Sequence, residues 1–209
     1  MPAEIPAHPI EAVVFDVGRV LVEWDLRVLL RRLYPSEAEA QWAFDNVVTE
    51  TWHFQHDCGR ELADMVAERK AEFPGHAHAI DAYASRFNET IPGLVPGTPE
   101  LVERLAARGV PLYAITNFGA EFWKGYRPTE RLFDHFRDIV VSGVEKLAKP
   151  DPAIYFLAER RFGHSASAML FVDDNLANIE AARACGWQVH HFIDAARLEA
   201  DLAERGLLG

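Results

Sequence analysis

The chain has 209 residues, of which 49% are hydrophobic and 25% are charged, and its mean hydropathy is −0.09. This length can bury the core of one domain or of two small ones, and the composition is that of a soluble globular protein. The formal net charge of −11 argues against general binding to nucleic acid or to membrane surfaces, because these polyanionic partners would repel the protein.

The two cysteines, Cys58 and Cys185, form no Cys-x-x-Cys pair and do not suggest a disulfide scaffold. The N-terminus has no basic start followed by an apolar segment, and no apolar run approaches the length of a membrane span. Three prolines within residues 1–9 predict a loose tail. These features together predict a reduced, cytoplasmic protein.

The first predicted strand covers residues 11–15 and ends at Asp16, with Gly18 two residues later. Residues 26–92 then show helical periodicity with little strand signal, and breaks rich in proline and glycine divide them. The stretch 91–97 has the composition of a linker.

Strands and helices alternate after this linker. Thr98 is a suitable N-cap and Gly109 a suitable C′ residue for a helix over 98–108, and a strand follows directly. The remaining prediction is a helix over 120–133, a strand at 139–142, a helix from Pro152 to Phe162, a strand ending at Val172, a helix from 175 to 185, a strand at 188–193 and a last helix.

Such alternation predicts an α/β fold with a doubly wound parallel sheet. We expect residues 10–25 and 93–209 to form the core domain, and residues 26–92 to form a small inserted helical cap. Polar residues follow the predicted strands in a fixed order, at the edge where open α/β sheets carry their chemistry. These residues are Asp16 and Gly18, Thr116 and Asn117, Lys149 with Pro150, and Asp173 with Asp174.

This ordered set resembles the four motifs of the haloacid dehalogenase-like (HAD) hydrolase superfamily, over nearly the whole chain. The stretch Phe15–Leu21 is similar to the first motif and Ile115–Asn117 to the second. The third motif is similar to Lys149–Pro152 and the fourth to Val172–Asn175.

The resemblance implies a catalytic role for three residues. Asp16 would be a nucleophile that attacks phosphorus and forms an aspartyl-phosphate. Lys149 would neutralise Asp16 and the phosphoryl oxygens, and Thr116 would hold a phosphoryl oxygen. Alternatives for the last two are an exposed loop lysine and a simple Thr/Asn turn.

The resemblance also implies a Mg²⁺ site formed by Asp16, the backbone carbonyl of Gly18, Asp173 and Asp174, with Asp174 acting directly or through water. Alternatively, Asp174 could serve as a helix N-cap. Gly18 and Asn117 would contact substrate. From the cap, His56 could donate a proton and Arg60 could grip an anionic group, although two turn histidines can also be ordinary surface residues.

Gly18 departs from the pattern of most phosphatases in this superfamily, which carry a second aspartate at this position. That aspartate protonates the leaving oxygen and then activates water. A subset that includes sugar-phosphatase-like members also reads Asp-x-Gly. Without the carboxylate, the enzyme needs a better leaving group or a proton donor from elsewhere, since general acid–base help is worth about 10²–10⁴-fold.

The predicted function is a Mg²⁺-dependent phosphatase of small phosphate esters, with sugar phosphates favoured, acting as a monomer or homodimer on a small phosphorylated metabolite. Two alternatives remain open. One is a 2-haloacid dehalogenase of the same fold, in which Asp16 attacks carbon without a metal. The other is a catalytically degenerate member of the fold that binds a metabolite or a partner, for which Gly18 is the best support.

Overall fold

The computed structural model describes residues 9–209. The tail predicted for residues 1–9 lies, apart from its last residue, outside the described residues. None of the helices in this part of the chain is both long and apolar enough to cross a membrane.

Five parallel strands form the main sheet, in the spatial order β5-β4-β1-β6-β7, and this confirms the predicted doubly wound α/β fold. A second ladder, of two short antiparallel strands, pairs Val22 with Leu94. The strands in chain order are β1 (Ala12–Phe15), β2 (Val22–Glu23), β3 (Gly93–Leu94), β4 (Leu112–Thr116), β5 (Asp138–Val141), β6 (Met169–Asp173) and β7 (Gln188–His191).

The three central strands are buried along their whole length, because helices cover both faces of the sheet. Alternate side chains of β1 therefore enter two different cores. Val13 and Phe15 pack in the larger one, while Ala12 and Val14 pack in the smaller one on the opposite face. This two-sided burial explains why these strands appear in the sequence as continuous apolar runs.

Five helices lie between β2 and β3, within the region for which a cap was predicted. We call residues 26–90 the helical insert; its separation as a domain stays a prediction. Short 3₁₀ turns at Pro74–His76 and Phe87–Thr90 flank the last helix. The five helices are α1 (Leu26–Leu30), α2 (Glu37–Asn46), α3 (Glu50–Asp57), α4 (Leu62–Glu72) and α5 (Ala77–Ser85).

The remaining helices connect or follow the strands of the main sheet. They are α6 (Thr98–Ala107), α7 (Ala120–Tyr126), α8 (Ser142–Glu145), α9 (Pro152–Phe162), α10 (Leu176–Ala184) and α11 (Ala195–Glu204).

Two local predictions for these helices were wrong. Gly97, with φ of 86°, is the N-cap of α6, and not Thr98 as predicted. Thr98 is the first residue of the helix, and its hydroxyl donates to the carbonyl of Val95, which precedes the helix. The helix predicted over 120–133 ends at Tyr126 and continues as two 3₁₀ segments, Arg127–Thr129 and Arg131–His135. Pro128 explains this break, because proline supplies no backbone N–H for an α-helical hydrogen bond.

Candidate active site

The parallel register gathers the polar residues of three motifs at one edge of the sheet. Phe15 of β1 lies opposite Val172 of β6 on one side and Ala114 of β4 on the other. Asp16, directly after β1, therefore lies beside Asp173, the last residue of β6, with Thr116 at the end of β4 nearby. This is the carboxyl edge, where ligands bind in open α/β sheets.

Lys149 joins the two carboxylates and is almost completely buried, with 1% of its surface exposed. Its Nζ lies 2.8 Å from Oδ1 of Asp16 and 2.7 Å from Oδ2 of Asp173. Burial disfavours the charged ammonium, but Asp16 and Asp173 outweigh that effect and raise the pKa of Lys149 above its usual value. The lysine is therefore a fixed positive charge inside the site rather than an exposed loop residue.

Asp173 is fully buried and its carboxylate accepts several hydrogen bonds. Besides Lys149, the backbone N–H of Asn175 donates to its Oδ1 over 2.7 Å, and the side-chain amide of Asn178 donates to Oδ1 over 3.1 Å and to Oδ2 over 3.0 Å. Asn175, and not Asp174, is the N-cap of α10. The alternative that Asp174 is the helix N-cap is therefore wrong, and its role as a metal ligand stays a prediction.

Asp16, Asp173 and Asp174 can each offer a carboxylate oxygen such that all three oxygens lie within 4.8 Å of one another. Burial raises the pKa of Asp16 well above its ordinary value; Lys149 opposes this and Asp173 adds to it. Burial and Asp173 likewise raise the pKa of Asp174, while Arg19 and Lys149 oppose this. Three carboxylates meet here beside the Lys149 ammonium and the Arg19 guanidinium, and this donor set of hard oxygens fits a divalent cation such as Mg²⁺.

The Asn117 side chain holds the backbone of Lys149 through two hydrogen bonds. Its side-chain amide donates to the Lys149 carbonyl and accepts from the Lys149 backbone N–H, each over 2.9 Å. The bond between Lys149 and Pro150 is cis. Asn117 also lines the cavity described below, whereas Thr116 is buried and is not among the lining residues found in the described chain.

A cavity of about 390 Å³ opens over this edge, between the core and the helical insert. Its polar end contains the motif residues, and its wider part has aromatic and ionisable walls from the insert. Gly18 lines the polar end with no atom within 4 Å of the place where a Cβ would lie. The predicted site residues that line the cavity are Asp16, Gly18, Asn117, Lys149 and Asp174.

His56 and Arg60 do not line this cavity within residues 9–209. His56 is buried, its Nδ1–H donates to the Arg60 carbonyl over 2.8 Å, and its Nε2 lies 3.2 Å from Glu121 at an angle that gives no hydrogen bond. The Arg60 guanidinium binds Gln55 and Glu68. Their substrate roles remain proposals that need a different arrangement of these side chains.

Several cavity residues were not assigned to the site from the sequence, among them Arg19, Trp24, His53 and Asp57. Arg19 has φ of 62°, pairs with Glu50 of α3, and lies over the Trp24 ring at 4.8 Å. The available signal for His53 and Asp57 was their i, i+4 spacing, which places a histidine and an aspartate on the same face of α3.

Comparisons with known proteins show the family and the fold. The model of a family described as haloacid dehalogenase-like hydrolases matches residues 10–186. The sesquiterpene phosphatase astK of Aspergillus oryzae (strain ATCC 42149 / RIB 40) is 29% identical over 88% of this chain and 91% of its own length. A phosphoglycolate phosphatase of Pseudomonas syringae pv. syringae (strain B728a) is 34% identical over 59% of this chain, which spans 43% of that relative.

Among solved structures, a HAD family enzyme from Bacteroides thetaiotaomicron, in complex with magnesium and inorganic phosphate, superposes with a TM-score of 0.66. The two proteins are 20% identical, and the match covers 90% of this chain and 98% of the other. This likeness concerns the fold.

Proposed function

Because the chain belongs to the haloacid dehalogenase-like hydrolase family, we propose that it is a Mg²⁺-dependent phosphatase that acts on small phosphate esters through an aspartyl-phosphate on Asp16. The observation that carries this proposal is the position of Asp16. It lies at the carboxyl edge of the sheet, on the cavity wall, between the Lys149 ammonium and two further carboxylates.

The contacts of Asp16 support one of its two oxygens as the attacking atom. Oδ1 accepts from the Val17 backbone N–H over 2.6 Å and lies 2.8 Å from Lys149 Nζ. We therefore propose Oδ2 for the in-line attack on phosphorus. The P–O bond of the ester breaks as the Oδ2–P bond forms, and water then displaces Asp16 from phosphorus. Lys149 keeps the nucleophile oriented and offsets charge on the phosphoryl oxygens.

The metal would be held by Asp16, Asp173 and Asp174, with the Gly18 carbonyl as a further proposed ligand. A bound Mg²⁺ would let a carboxylate approach a phosphate dianion by neutralising part of the negative charge. The structural neighbour from Bacteroides, which was solved with magnesium and inorganic phosphate, supports a magnesium-dependent reaction, and the two relatives named as phosphatases support the reaction class.

Sugar phosphates are the substrates that we favour within this class. The cavity is lined by the aromatic residues Trp24, Phe54 and Phe87 beside residues with hydrogen-bonding groups, such as Glu50 and Asn175. A polyol ring offers both an apolar face and hydroxyl groups, so it complements such a mixed wall.

The test measures phosphate release from a panel of phosphate esters, with Mg²⁺ and with EDTA. We expect turnover that requires Mg²⁺ and that Asp16→Asn abolishes, because the nearly isosteric amide keeps the Lys149 contact but cannot attack. Asp64→Asn is the matched control, since Asp64 is exposed on α4. Activity that persists in EDTA, or in a clean Asp16→Asn preparation, would contradict the proposal. A folded parent that is inactive on every ester would favour the degenerate binding protein.

A further inference from the structure

The proposed phosphatase needs a proton donor for the leaving oxygen, and position 18 supplies none. Gly18 replaces the carboxylate that usually lies there, and its surroundings leave the corresponding space open. Asp16 and Asp174 belong to the proposed nucleophile and metal site. The other carboxyl groups on the cavity wall are Glu50 and Asp57.

Glu50 is the poorer candidate. Its side chain is 43% exposed and is engaged by the Arg19 guanidinium. Asp57, by contrast, is 4% exposed, and its Oδ1 has no hydrogen-bond partner within the described chain. A buried carboxyl oxygen without a partner is costly, so such an atom calls for a function or a ligand.

Asp57 is backed by a buried chain of two proton-bearing groups. Its Oδ2 lies 3.2 Å from Nε2 of His53, and Nδ1 of His53 lies 2.8 Å from the Tyr83 hydroxyl. When Tyr83 donates to Nδ1, the imidazole proton is on Nε2 and faces Asp57. When Nδ1 donates to Tyr83 instead, Nε2 has a free lone pair that can accept a proton from Asp57. In either tautomer the imidazole presents a nitrogen to the Asp57 carboxyl group that can exchange a proton with it.

Aromatic rings fix the histidine in this place. The His53 ring stacks on Phe87 at 5.4 Å with an interplanar angle of 14°, and it lies 5.0 Å from the Trp24 ring. Phe87 in turn stacks on Phe122 at 3.9 Å. The imidazole therefore has little room to rotate away from Asp57.

A hydrogen bond network also anchors Asp57 to the motif loops of the core. The Ser142 hydroxyl, directly after β5, donates to the Asp57 carbonyl over 2.6 Å and accepts from the Phe118 N–H over 3.0 Å. Phe118 follows Asn117, which positions Lys149. The end of α3 is thus fastened over the carboxyl edge where the phosphoryl group would lie.

From this arrangement, and on the basis of the proposed function, we propose that Asp57 is the general acid and base that replaces the missing carboxylate at position 18. His53 and Tyr83 are its positioning residues. As the Asp16 Oδ2–P bond forms and the ester P–O bond breaks, the protonated Asp57 carboxyl group gives its proton to the leaving oxygen and becomes a carboxylate that faces His53 Nε2. As water then bonds to phosphorus and the Oδ2–P bond breaks, Asp57 takes a proton from that water, which restores the starting state.

The decisive experiment compares leaving groups. Asp57→Asn should lower kcat/KM for primary alkyl phosphates by about 10²–10⁴-fold, because their alkoxides leave poorly without a proton. The loss for dinitrophenyl phosphate, whose phenolate leaves unaided, should be less than about tenfold. Asp64→Asn, the same chemical change on exposed α4, should alter neither rate. An equal loss for all esters would overturn the proposal. A loss that increases with the number of hydroxyl groups on the substrate, whatever the leaving group, would also overturn it, because Asp57 would then bind substrate instead of protonating the leaving oxygen.

A second substitution that restores the activity of Asp57→Asn would test the proposal independently. Adding Gly18→Asp to Asp57→Asn places a carboxylate in the open space at position 18 and should restore the alkyl phosphate rate. If Asp57→Asn does not fold, Tyr83→Phe decides, because it keeps the buried ring and removes only the hydroxyl. It should lower the rates of alkyl esters selectively, and a uniform loss overturns the proposal. An inactive parent, or an active Asp16→Asn, would instead mean that the proposed function itself had failed.

Discussion

The side chain of Asn117 and the backbone of Lys149 exchange two hydrogen bonds of 2.9 Å, across 32 positions in the sequence. The amide therefore fixes the peptide of Lys149, the lysine that we propose to be catalytic. Asn117 was predicted to contact substrate, and it does line the cavity. Its backbone contacts give it a supporting role that a substrate contact alone would not require.

Asn117→Ala should affect stability and activity together. The free energy of unfolding should fall by about 1–3 kcal/mol, because two backbone groups of Lys149 lose their partner. The kcat should fall as well, since Lys149 is no longer held against Asp16. Denaturant unfolding and steady-state kinetics test this, with exposed Asn88→Ala as the control. Unchanged stability with a higher KM alone would mean that Asn117 only binds substrate.

Two glycines, Gly18 on the cavity wall and Gly119 beside His56, should respond differently to alanine. Gly18 does not have a positive φ, and a Cβ added there would meet no atom within 4 Å, so Gly18→Ala should be neutral or stabilise by about 0.4–1 kcal/mol. A Cβ on Gly119 would lie 2.0 Å from the buried His56 ring, so Gly119→Ala should destabilise by about 1–3 kcal/mol. Chemical denaturation of both variants provides the measurement, and equal effects would contradict the packing described.

Removing the two acidic residues of the fourth motif should have separable effects. Asp173→Ala removes one of the two carboxylates that pair with the buried Lys149 ammonium. It should therefore lower the free energy of unfolding by about 3–5 kcal/mol. Asp174→Asn lies at the partly exposed edge of the site and should spare stability while raising the Mg²⁺ concentration for half-maximal activity by about tenfold or more. Thermal unfolding and Mg²⁺ titration distinguish them. A Mg²⁺ titration of Asp174→Asn identical to that of the parent would remove Asp174 from the ligand set.

The protein should release little or no halide from 2-chloropropionate. Attack on carbon needs no cation, whereas this site places three carboxylates within 4.8 Å of one another. Halide release is measured beside phosphate release under the same conditions. Comparable rates for 2-chloropropionate and for the best phosphate ester would reverse the ranking of these two reactions.

The main sheet and the polar residues at its carboxyl edge were predictable because they depend on local patterns. Buried parallel strands are continuous apolar runs, and the polar residue that ends each run lies at the same edge as its neighbours. Asp16, Lys149 and Asp173 could thus be placed together before their distances were known. The short β2–β3 ladder was missed, because two-residue strands carry no periodicity.

The walls contributed by the helical insert were not predictable in the same way. His53 and His56 lie three positions apart on α3, and only tertiary packing decides which of them reaches the cavity. The Phe87 and Trp24 rings that hold His53 come from distant segments. Likewise, Ser142 and the Asp57 carbonyl are 85 positions apart, and neither residue type indicates the other.

The bridging hydroxyl of Ser142 has a consequence for substrate binding. Since it accepts from the Phe118 N–H and donates to the Asp57 carbonyl, it ties the loop after β4 to the end of α3. Phe118 and Asp57 both line the cavity, so the spacing of these two parts of its wall is set before substrate binds. Breaking either hydrogen bond costs about 0.5–1.5 kcal/mol net, and this wall therefore loses little conformational entropy when substrate enters.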